Sequence, residues 1–339
     1  MKTLVIGDPH FKDNNKDDTD ALHDQVIEIL DGGDIDLVVV LGDIMHYHGK
    51  GDMKTYIRAC KFLKDIASRV GKERSYLIIG NHDRVNNTVA EGEEHWFYPL
   101  KDHPNYPTIV DEVTVKKVGD AVVGFVPYTP AGSLDTYLLP RLGDVEMGSV
   151  NVFYMHQEFK GCSMGSRKSI HGDVWPSDRP FVISGHEHGR HKVGKNIFYT
   201  GTPYHTDFGE SGDKFLHTIT QSDSGAIGIK NIKSKVPKKL TLRMNASEFV
   251  SYDFPKNDWI RTKITDSSRK LVHLKSSKKY TDLLNNPKIK IVFLDESKSA
   301  PDAIVGAVPA VKMSFLQRLS EKVESDPKLK SLYDDIFGG

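Results

Sequence analysis

The sequence predicts a layered α/β fold with a smaller unit at its C-terminal end. Short apolar runs rich in β-branched residues recur through the first 200 residues, as is typical of strands buried on both faces. Segments with helical periodicity separate the earliest runs, and this alternation favours helices packed over a sheet. The composition changes near residue 230, where a lysine-rich stretch begins. A chain of 339 residues is long enough for about two domains.

Seven apolar runs are the predicted strands of the larger unit, and two segments between the early runs are its predicted helices. The helical segments cover residues 19–30 and 53–70, and each gathers its apolar side chains on one stripe. The strands cover residues 4–6, 37–41, 76–79, 121–126, 150–154, 181–183 and 196–199.

A smaller α+β unit is predicted after a lysine-rich connector at residues 230–239. Residues 259–264 and 289–294 have the patterns of strands, and residues 276–284 have that of a helix. Between residues 256 and 290 there are ten Lys or Arg against three Asp. This excess indicates a surface that faces phosphate groups. A solvated face that only keeps a small domain soluble would have the same composition.

Two amphipathic helices are predicted at the C-terminal end, within residues 312–337. The first carries an apolar stripe that includes Leu316 and Leu319. The second begins at Ser325-Asp326-Pro327, a capping residue followed by a proline suited to a first helical position. Such a pair either docks on its own domain or binds a partner helix.

The overall composition is that of an ordinary globular protein with no net charge. Lys and Arg total 46, and Asp and Glu also total 46, so any basic surface has to be local. No run of about 18 apolar residues is present, and the first residues enter a strand without the features of a secretory signal. Cys60 and Cys162 are far apart in sequence, which favours two free thiols in a reducing compartment. We therefore expect a cytoplasmic protein.

Polar residues directly follow five of the predicted strands. In an open α/β sheet, sites lie beyond the carboxyl ends of the strands, so residues in these positions converge on one edge. The five clusters are Asp8-Pro9-His10, Gly42-Asp43, Gly80-Asn81-His82-Asp83, His156 and Gly185-His186-Glu187-His188.

Seven side chains of these clusters are candidate metal ligands: two Asp, one Asn and four His. Mixed oxygen and nitrogen donors suit borderline divalent ions, so Mn²⁺ is favoured, with Mg²⁺, Fe²⁺ or Zn²⁺ as alternatives. A structural zinc site would use only four ligands and would usually include cysteine. In Asp-x-His and His-x-His, side chains two residues apart on an extended segment point the same way. Glycines at 42, 80 and 185 allow sharp turns and a close approach of the backbone.

In this order the motifs are similar to those of the calcineurin-like metallophosphoesterase superfamily. Each motif alone is weak evidence, but the family pattern of Asp-x-His, Gly-Asp, Gly-Asn-His-Asp, a later His and Gly-His-x-His is complete within residues 1–220. The resemblance implies two β-sheets in a sandwich flanked by helices. It also implies two metals, with Asp8, His10 and His188 on one, Asn81, His156 and His186 on the other, and Asp43 bridging them.

The resemblance further implies that His82 lies over the scissile phosphate. Two bound metal ions would activate a shared water molecule and neutralise charge on the phosphoryl oxygens. His82 would stabilise the developing charge or protonate the leaving oxygen. Asp83 is expected to orient the His82 ring, as carboxylates commonly do for working imidazoles.

A second segment is similar to one found in SbcD-type nucleases, the nuclease subunits of double-strand-break repair complexes. Residues 197–203, then Phe208-Gly-Glu210 and Lys214-Phe215, resemble the segment after Gly-His-x-His in that family, most closely in its phage forms. The resemblance implies manganese-dependent exonuclease action on double-stranded DNA and endonuclease action on single strands. Residues 11–15 and 189–191 depart from the family pattern near the site mouth; they remove no ligand but bear on substrate preference.

The same resemblance divides the chain into three parts. A nuclease domain would cover residues 1–235, a capping domain that contacts DNA residues 240–300, and C-terminal helices residues 308–339. The helices would bind a coiled-coil ATPase of the SbcC type. Two nuclease domains would pair as a homodimer.

Several basic residues outside the ligand set are candidate DNA contacts. His46 follows Asp43 by three residues, and Lys160, Arg167 and Lys168 lie in a Gly- and Ser-containing stretch after His156. For each, the alternative is an ordinary surface residue. The histidines at 48, 171, 191 and 205 are expected to be rim residues without a role.

Three functions are compatible with the sequence. The first is a DNA nuclease that works with an ATPase, and the second is a phosphoesterase of small molecules, such as cyclic nucleotides, or of phosphoproteins. The third is a non-catalytic scaffold with a vestigial site. The complete ligand set argues against the scaffold, and the extra basic unit argues against a small substrate.

Overall fold

A computed structural model describes residues 1–88, 92–165, 167–222, 225–295 and residue 330. The C-terminal helices predicted at 308–339 therefore lie outside the described residues, except for residue 330. In chain order the strands are β1 (Lys2–Ile6), β2 (Leu37–Val40), β3 (Ser75–Ile78), β4 (Thr108–Val110), β5 (Thr114–Val118), β6 (Ala121–Val126), β7 (Val152–His156), β8 (Ser163–Met164), β9 (Arg167–Lys168), β10 (Phe181–Gly185), β11 (His191–Val193), β12 (Ile197–Tyr199), β13 (Phe215–Gln221), β14 (Ile227–Lys233), β15 (Lys239–Met244), β16 (Trp259–Asp266) and β17 (Ile289–Asp295). The α-helices are α1 (Lys16–Asp31), α2 (Met53–Val70), α3 (Leu134–Leu138), α4 (Ala246–Ser251), α5 (Ser268–Lys275) and α6 (Lys278–Leu284).

Two six-stranded mixed sheets form the larger unit. The first has the order β14-β13-β1-β2-β3-β4, and β1 to β4 are parallel. The second has the order β11-β12-β10-β7-β6-β5, and its four inner strands are parallel. Parallel neighbours end at the same edge, so each sheet brings several carboxyl ends together.

The two sheets pack face to face, and helices cover their outer faces. Val39 and Tyr76 of the first sheet lie in one buried cluster with Phe125 and Tyr154 of the second. The Tyr76 and Phe125 rings stack at 4.1 Å, and burying each such side chain contributes about 1.5–3 kcal/mol. The outer face of the first sheet packs against α1 and α2, and that of the second against α3. The predicted fold class, an α/β sandwich of two sheets flanked by helices, is confirmed.

A three-stranded parallel sheet, β15-β16-β17, forms the core of the smaller unit. Helices α4, α5 and α6 cover one of its faces, where Phe249, Ile260, Ile264 and Leu271 are buried together. Helix α4 begins with a capping box, in which the Asn245 side chain accepts from the backbone of the third helical residue and that residue's carboxylate accepts in return.

The predicted connector at residues 230–239 is wrong at both ends. Residues up to Lys233 belong to β14, which pairs antiparallel with β13, and Lys239 already begins β15. Strand β14 lies at a sheet edge and combines half-buried isoleucines with exposed Lys230, Asn231 and Lys233, so its composition resembles that of a linker.

Neither a membrane-spanning helix nor a disulfide is found in the described ranges. The helices there lack the length and apolar character needed to cross a bilayer. Cys60 and Cys162 are both free thiols, as predicted.

Candidate metal centre

The predicted ligands lie where five parallel strands end, three from the first sheet and two from the second. Asp8, Asp43 and Asn81 follow β1, β2 and β3, while His156 is the last residue of β7 and His186 follows β10. Because the sheets face each other, their carboxyl ends meet at one edge of the sandwich. The structure brings all seven candidate ligands together there.

The backbone is strained at this edge. Among the described residues, four that are not glycine have a positive φ, and three of them are candidate ligands: His10 at 47°, Asp43 at 48° and His186 at 80°. Left-handed geometry costs a side-chain-bearing residue about 1–3 kcal/mol and persists only where the surroundings enforce it. The strain therefore indicates that the surrounding structure holds these ligand positions in place.

Glycines let the strand ends approach each other closely. A Cβ atom on Gly80 would lie 2.3 Å from Asp43 Oδ1, and one on Gly185 would lie 2.3 Å from Asp8 Oδ1. Gly42 has a φ of 103°, and its Cβ would lie 2.7 Å from His156 Nδ1. The close approach predicted at these three glycines is therefore present.

One group of donor atoms centres on His10. Its Nε2 lies 3.0 Å from His188 Nε2 and 3.8 Å from Asp43 Oδ2. Donor atoms of Asp8, His10 and Asp43 all lie within 4.8 Å of one another, close enough to hold a single cation.

A second group centres on the Asn81 amide oxygen. This Oδ1 lies 2.9 Å from His156 Nε2 and 3.0 Å from His186 Nδ1, and the two ring nitrogens are 3.3 Å apart. Asp43 Oδ1 lies 3.4 Å from His156 Nε2. The Asp43 carboxylate thus reaches both groups, one oxygen to each.

Neighbouring groups orient three of the ligands, His156, His188 and Asn81, toward the centre. His156 Nδ1 donates to the Leu41 carbonyl at 2.7 Å, which leaves Nε2 as the donor toward a metal. His188 Nδ1 faces Glu210 Oε1 at 3.5 Å, and Asn81 Nδ2 donates to Asn87 Oδ1 at 3.1 Å. Partners of this kind orient ligands in metal sites and raise their basicity.

The electrostatics of the centre depend on burial. Burial raises the pKa of Asp8 to about 7 and lowers that of His186 to about 3. Burial would also raise the pKa of Asp43, but the adjoining His156 outweighs it and holds that pKa well below its usual range. Conversely, Asp43 overcomes the effect of burial on His156 and raises its pKa to about 9. The centre thus brings both signs of charge together among largely buried side chains.

The residues fit a centre for divalent cations. Asp8 Oδ1 and His10 Nδ1 are buried and have no hydrogen-bond partner among the described residues. A buried polar atom without a partner costs about 1–3 kcal/mol. Two carboxylates, an amide oxygen and four imidazoles are donors that divalent ions accept, so a bound cation would compensate this cost.

His82 lies beside the centre, but its partner is not the predicted one. Its Nδ1 donates to the His46 carbonyl at 2.6 Å, and its backbone N–H donates to Asp43 Oδ1 at 2.8 Å. The predicted role of Asp83 in orienting His82 is wrong, because its carboxylate accepts the N–H groups of Met45 and Gly80, each at 3.0 Å. Asp83 is fully buried and ties the loops after β2 and β3 together.

The candidate DNA contacts occupy two places. The His46 ring is half-buried and lies 5.1 Å from the His10 ring, so it borders the centre. Lys160, Arg167 and Lys168 are exposed, and the latter two form β9 of a short hairpin with β8.

That hairpin is attached to the loop of Gly-His-x-His. Ser163 N–H donates to His191 Nε2 at 3.0 Å, and Cys162 Sγ donates to Glu187 Oε1 at 3.5 Å. A cleft of about 640 Å³ is lined by Ser163, His186 and His188. Its volume is of the order needed for a small ligand or a short stretch of polymer.

Not all the remaining histidines are the rim residues that the sequence suggested. His171 is exposed, but His205 is buried and accepts the Lys239 N–H at 3.2 Å. His191 is half-buried and stacks on Tyr199 at 4.7 Å between ring centroids. His48 stacks on His82.

Glu210 is the main site residue to which sequence reasoning gave no role. It faces His188 and forms an ion pair with Lys214, whose Nζ also donates to the His188 carbonyl at 2.9 Å. Burial opposes ionisation, but His188 and Lys214 hold the pKa of the Glu210 carboxyl far below its usual range. The i,i+4 spacing of Glu210 and Lys214 was visible in the sequence, whereas their contact with His188 was not.

The chain is similar in sequence to a known family and to two viral proteins. The sequence pattern of the family described as calcineurin-like phosphoesterase matches residues 1–205. "Putative phosphoesterase 244L" of Invertebrate iridescent virus 6 is 36% identical over 267 residues, which cover 77% of the chain and 92% of that protein. "Putative phosphoesterase 078R" of Invertebrate iridescent virus 3 is 30% identical over 340 residues, which cover 98% and 95%. A solution structure of a Thermotoga maritima protein covers 68% of the chain and 98% of that protein at 14% identity, with a TM-score of only 0.31.

Proposed function

The chain belongs to the calcineurin-like phosphoesterase family, and we propose that the phosphoesters it hydrolyses are the phosphodiester bonds of DNA. In this proposal it acts as an exonuclease on double strands and an endonuclease on single strands. The observation that carries the choice of substrate is a basic sheet face of the smaller unit, close to the metal centre.

The chemistry rests on a proposed two-metal centre. Asp8, His10 and His188 would hold one ion, Asn81, His156 and His186 the other, and Asp43 would bridge them. When bound, two such ions, here proposed as Mn²⁺, activate water and neutralise charge on the phosphoryl oxygens. His82 keeps Nδ1 on the His46 carbonyl, so its Nε2 is the nitrogen available to hold or donate a proton at the leaving oxygen.

The basic face is the side of the three-stranded sheet that α4, α5 and α6 leave uncovered. Strand β16 alternates strictly, with every second residue buried under the helices, and residues paired across strands share a side. None of the β15, β16 and β17 residues on this uncovered side is acidic. Its cations are Arg243, Arg261, Lys263 and Lys290, whereas Lys239 lies on the same side but is buried and paired with Asp18 at 2.7 Å.

This face adjoins the metal centre through the segment that contains Phe208. The Arg261 guanidinium lies 4.5 Å from the centre of the Phe208 ring, and Thr241 Oγ1 donates to the Phe208 carbonyl at 2.8 Å. Phe208 is two residues from Glu210, which faces His188. A row of cations beside a phosphoesterase centre suits a polyanion that extends beyond the cleaved bond. A cyclic nucleotide or a single phosphate would not need it.

The deciding experiment compares substrates with the purified chain and Mn²⁺. We expect digestion of linear double-stranded DNA and nicking of single-stranded circles. We also expect only slow turnover of cyclic nucleotides and phosphopeptides. Efficient cleavage of either small substrate without action on DNA would replace this proposal with a small-molecule or phosphoprotein phosphoesterase.

The partner is a separate proposal. Residues 308–339 would bind a coiled-coil ATPase of the SbcC type in the cytoplasm, with two nuclease domains paired as a homodimer. Support comes from the amphipathic pattern of that segment, which lies outside the described residues. A chain that ends at residue 310 should keep its thermal unfolding midpoint and its activity on small diesters but no longer co-purify with the ATPase. Retained ATPase binding would assign the segment to the fold alone.

A further inference from the structure

The His82 ring is held by one hydrogen bond and by contacts with three neighbouring histidine rings. Among the described residues its one ring hydrogen bond, from Nδ1 to the His46 carbonyl, fixes the position of Nδ1 but not the tilt of the ring about that bond. The second side-chain torsion of histidine has a broad energy profile, so the torsion itself does not hold the ring. A nitrogen that transfers a proton has to keep its direction, and an error of about 1 Å costs up to 10²-fold in rate. Something else must therefore limit this tilt.

His48 provides that limit. Its ring lies nearly parallel to the His82 ring, with centroids 4.4 Å apart and an interplanar angle of 21°. The His46 ring is also nearly parallel to His82, but at 5.9 Å its contact is looser, and the His10 ring, 5.0 Å away, is perpendicular to His82 rather than stacked on it. His48 Nδ1 is buried without a hydrogen-bond partner among the described residues, so stacking rather than that nitrogen's bonding engages the ring.

We propose that His48 is a positioning residue for His82: by covering the face of the His82 imidazole, it keeps Nε2 directed at the leaving oxygen of the substrate. The proposal rests on the role of His82 proposed above, but not on DNA as the substrate. Stacking requires a flat ring and no ionisable group. The role should therefore survive replacement of His48 by phenylalanine and be lost with alanine.

The experiment uses two small diesters of thymidine with Mn²⁺. Thymidylyl-thymidine has an alkoxide leaving group that needs a proton, whereas thymidine 5′-(4-nitrophenyl) phosphate has a leaving group that does not. His48→Ala should lower kcat on the dinucleotide about tenfold, with KM within about twofold, and change kcat on the nitrophenyl ester less than about twofold. His48→Phe should restore kcat on the dinucleotide to within about threefold.

A double-mutant cycle isolates the connection to His82. In a His82→Ala background, His48→Ala should cause no further loss on the dinucleotide, measured over long incubations. The control is His103→Ala, an exposed histidine with its own ring contact to Tyr106 at 5.0 Å, which should leave all rates unchanged. Metal content and unfolding midpoint are measured for every variant.

Each outcome decides the matter. Equal loss on both substrates, equal loss in the His82→Ala background, or failure of phenylalanine to restore kcat would overturn the positioning role. If His48→Ala does not fold, the comparison between His48→Phe and wild type still decides it, because a large loss in the phenylalanine variant contradicts stacking. Full activity of His82→Ala would instead remove the proposed role of His82, and the inference with it.

Discussion

The edge that carries the metal centre and the basic face of the smaller unit are built in opposite ways. At the edge, Asp8, His10, Asp43 and His156 are almost completely buried, and their orientation is fixed by backbone contacts and strained φ angles. On the basic face, the cations stand on regular strands, and Arg243 and Lys290 are exposed. One region holds its groups rigidly, and the other presents its groups loosely.

The difference shows how the two regions divide the work of a phosphoesterase. Buried charges interact strongly with one another, so each group at the edge has a large individual effect. Exposed cations are screened by salt and contribute small, additive amounts of affinity. Substitutions should therefore act on turnover and metal binding at the edge, and on affinity at the face.

The largest effect is expected for Asp43→Ala. Removing the carboxylate that reaches both donor groups should eliminate metal binding and lower kcat on any diester by at least ~10³-fold. Metal content and turnover of a nitrophenyl diester measure this. The exposed Asp178→Ala is the matched control, and a variant at 43 that kept both ions would contradict the shared role of Asp43.

His82→Ala should leave the metals bound and still nearly abolish cleavage. Proton transfer by a placed imidazole is worth about 10²–10⁴-fold, so kcat on the dinucleotide should fall by that factor. Metal content measured beside kcat separates this variant from Asp43→Ala. If ions and activity disappeared together, His82 would belong to the metal-binding set.

Glu210→Gln should weaken metal binding without abolishing it. The amide can no longer balance the charge of His188 and Lys214, and partners of metal ligands typically contribute 10–100-fold in affinity. A titration with Mn²⁺ measures the midpoint, with the exposed Glu112→Gln as control. An unchanged midpoint would make Glu210 a purely structural residue of its loop.

Single substitutions on the basic face should have the smallest effects. Lys263→Ala should weaken binding to single-stranded DNA a few-fold and reduce the slope of log affinity against log salt by about 1. Turnover of the nitrophenyl diester should not change, because the face does not touch the reacting atoms. Lys278→Ala, on the helix-covered side of the sheet, is the control. An equal change of the salt slope in that variant would show that the basic face has no special role in binding DNA.

Much of the edge could be predicted from the sequence because its signals are local. A strand followed by a polar residue is a pattern of a few adjacent positions, and the predicted helix at 53–70 agrees with α2 at both ends. Strands β13 and β14 were missed. Polar residues interrupt the apolar pattern of both: β13 buries His217 and Thr218 between β14 and β1, and β14 is a half-exposed edge strand rich in lysine.

The contacts that orient the ligands could not be predicted. The carbonyls of Leu41 and His46 act through backbone atoms, which leave no side-chain signal in a sequence. Glu210 and His188 lie 22 positions apart, and His48 and His82 lie 34 apart; only the folded sheets bring them together. For Asp83 the motif suggested a contact with the adjacent His82. In the folded chain its buried carboxylate instead accepts the N–H groups of Met45 and Gly80, which lie on two different loops.

The pairing of β1 with β13 has a consequence for how the chain is made. Strand β1 acquires its second neighbour only when Thr220 aligns with Lys2, after nearly the whole larger unit has been synthesised. Until then a fully buried apolar strand has an open edge, and closing so long a loop is slow. A fragment that stops at residue 205, where the family pattern ends, should therefore aggregate, although it contains every candidate ligand.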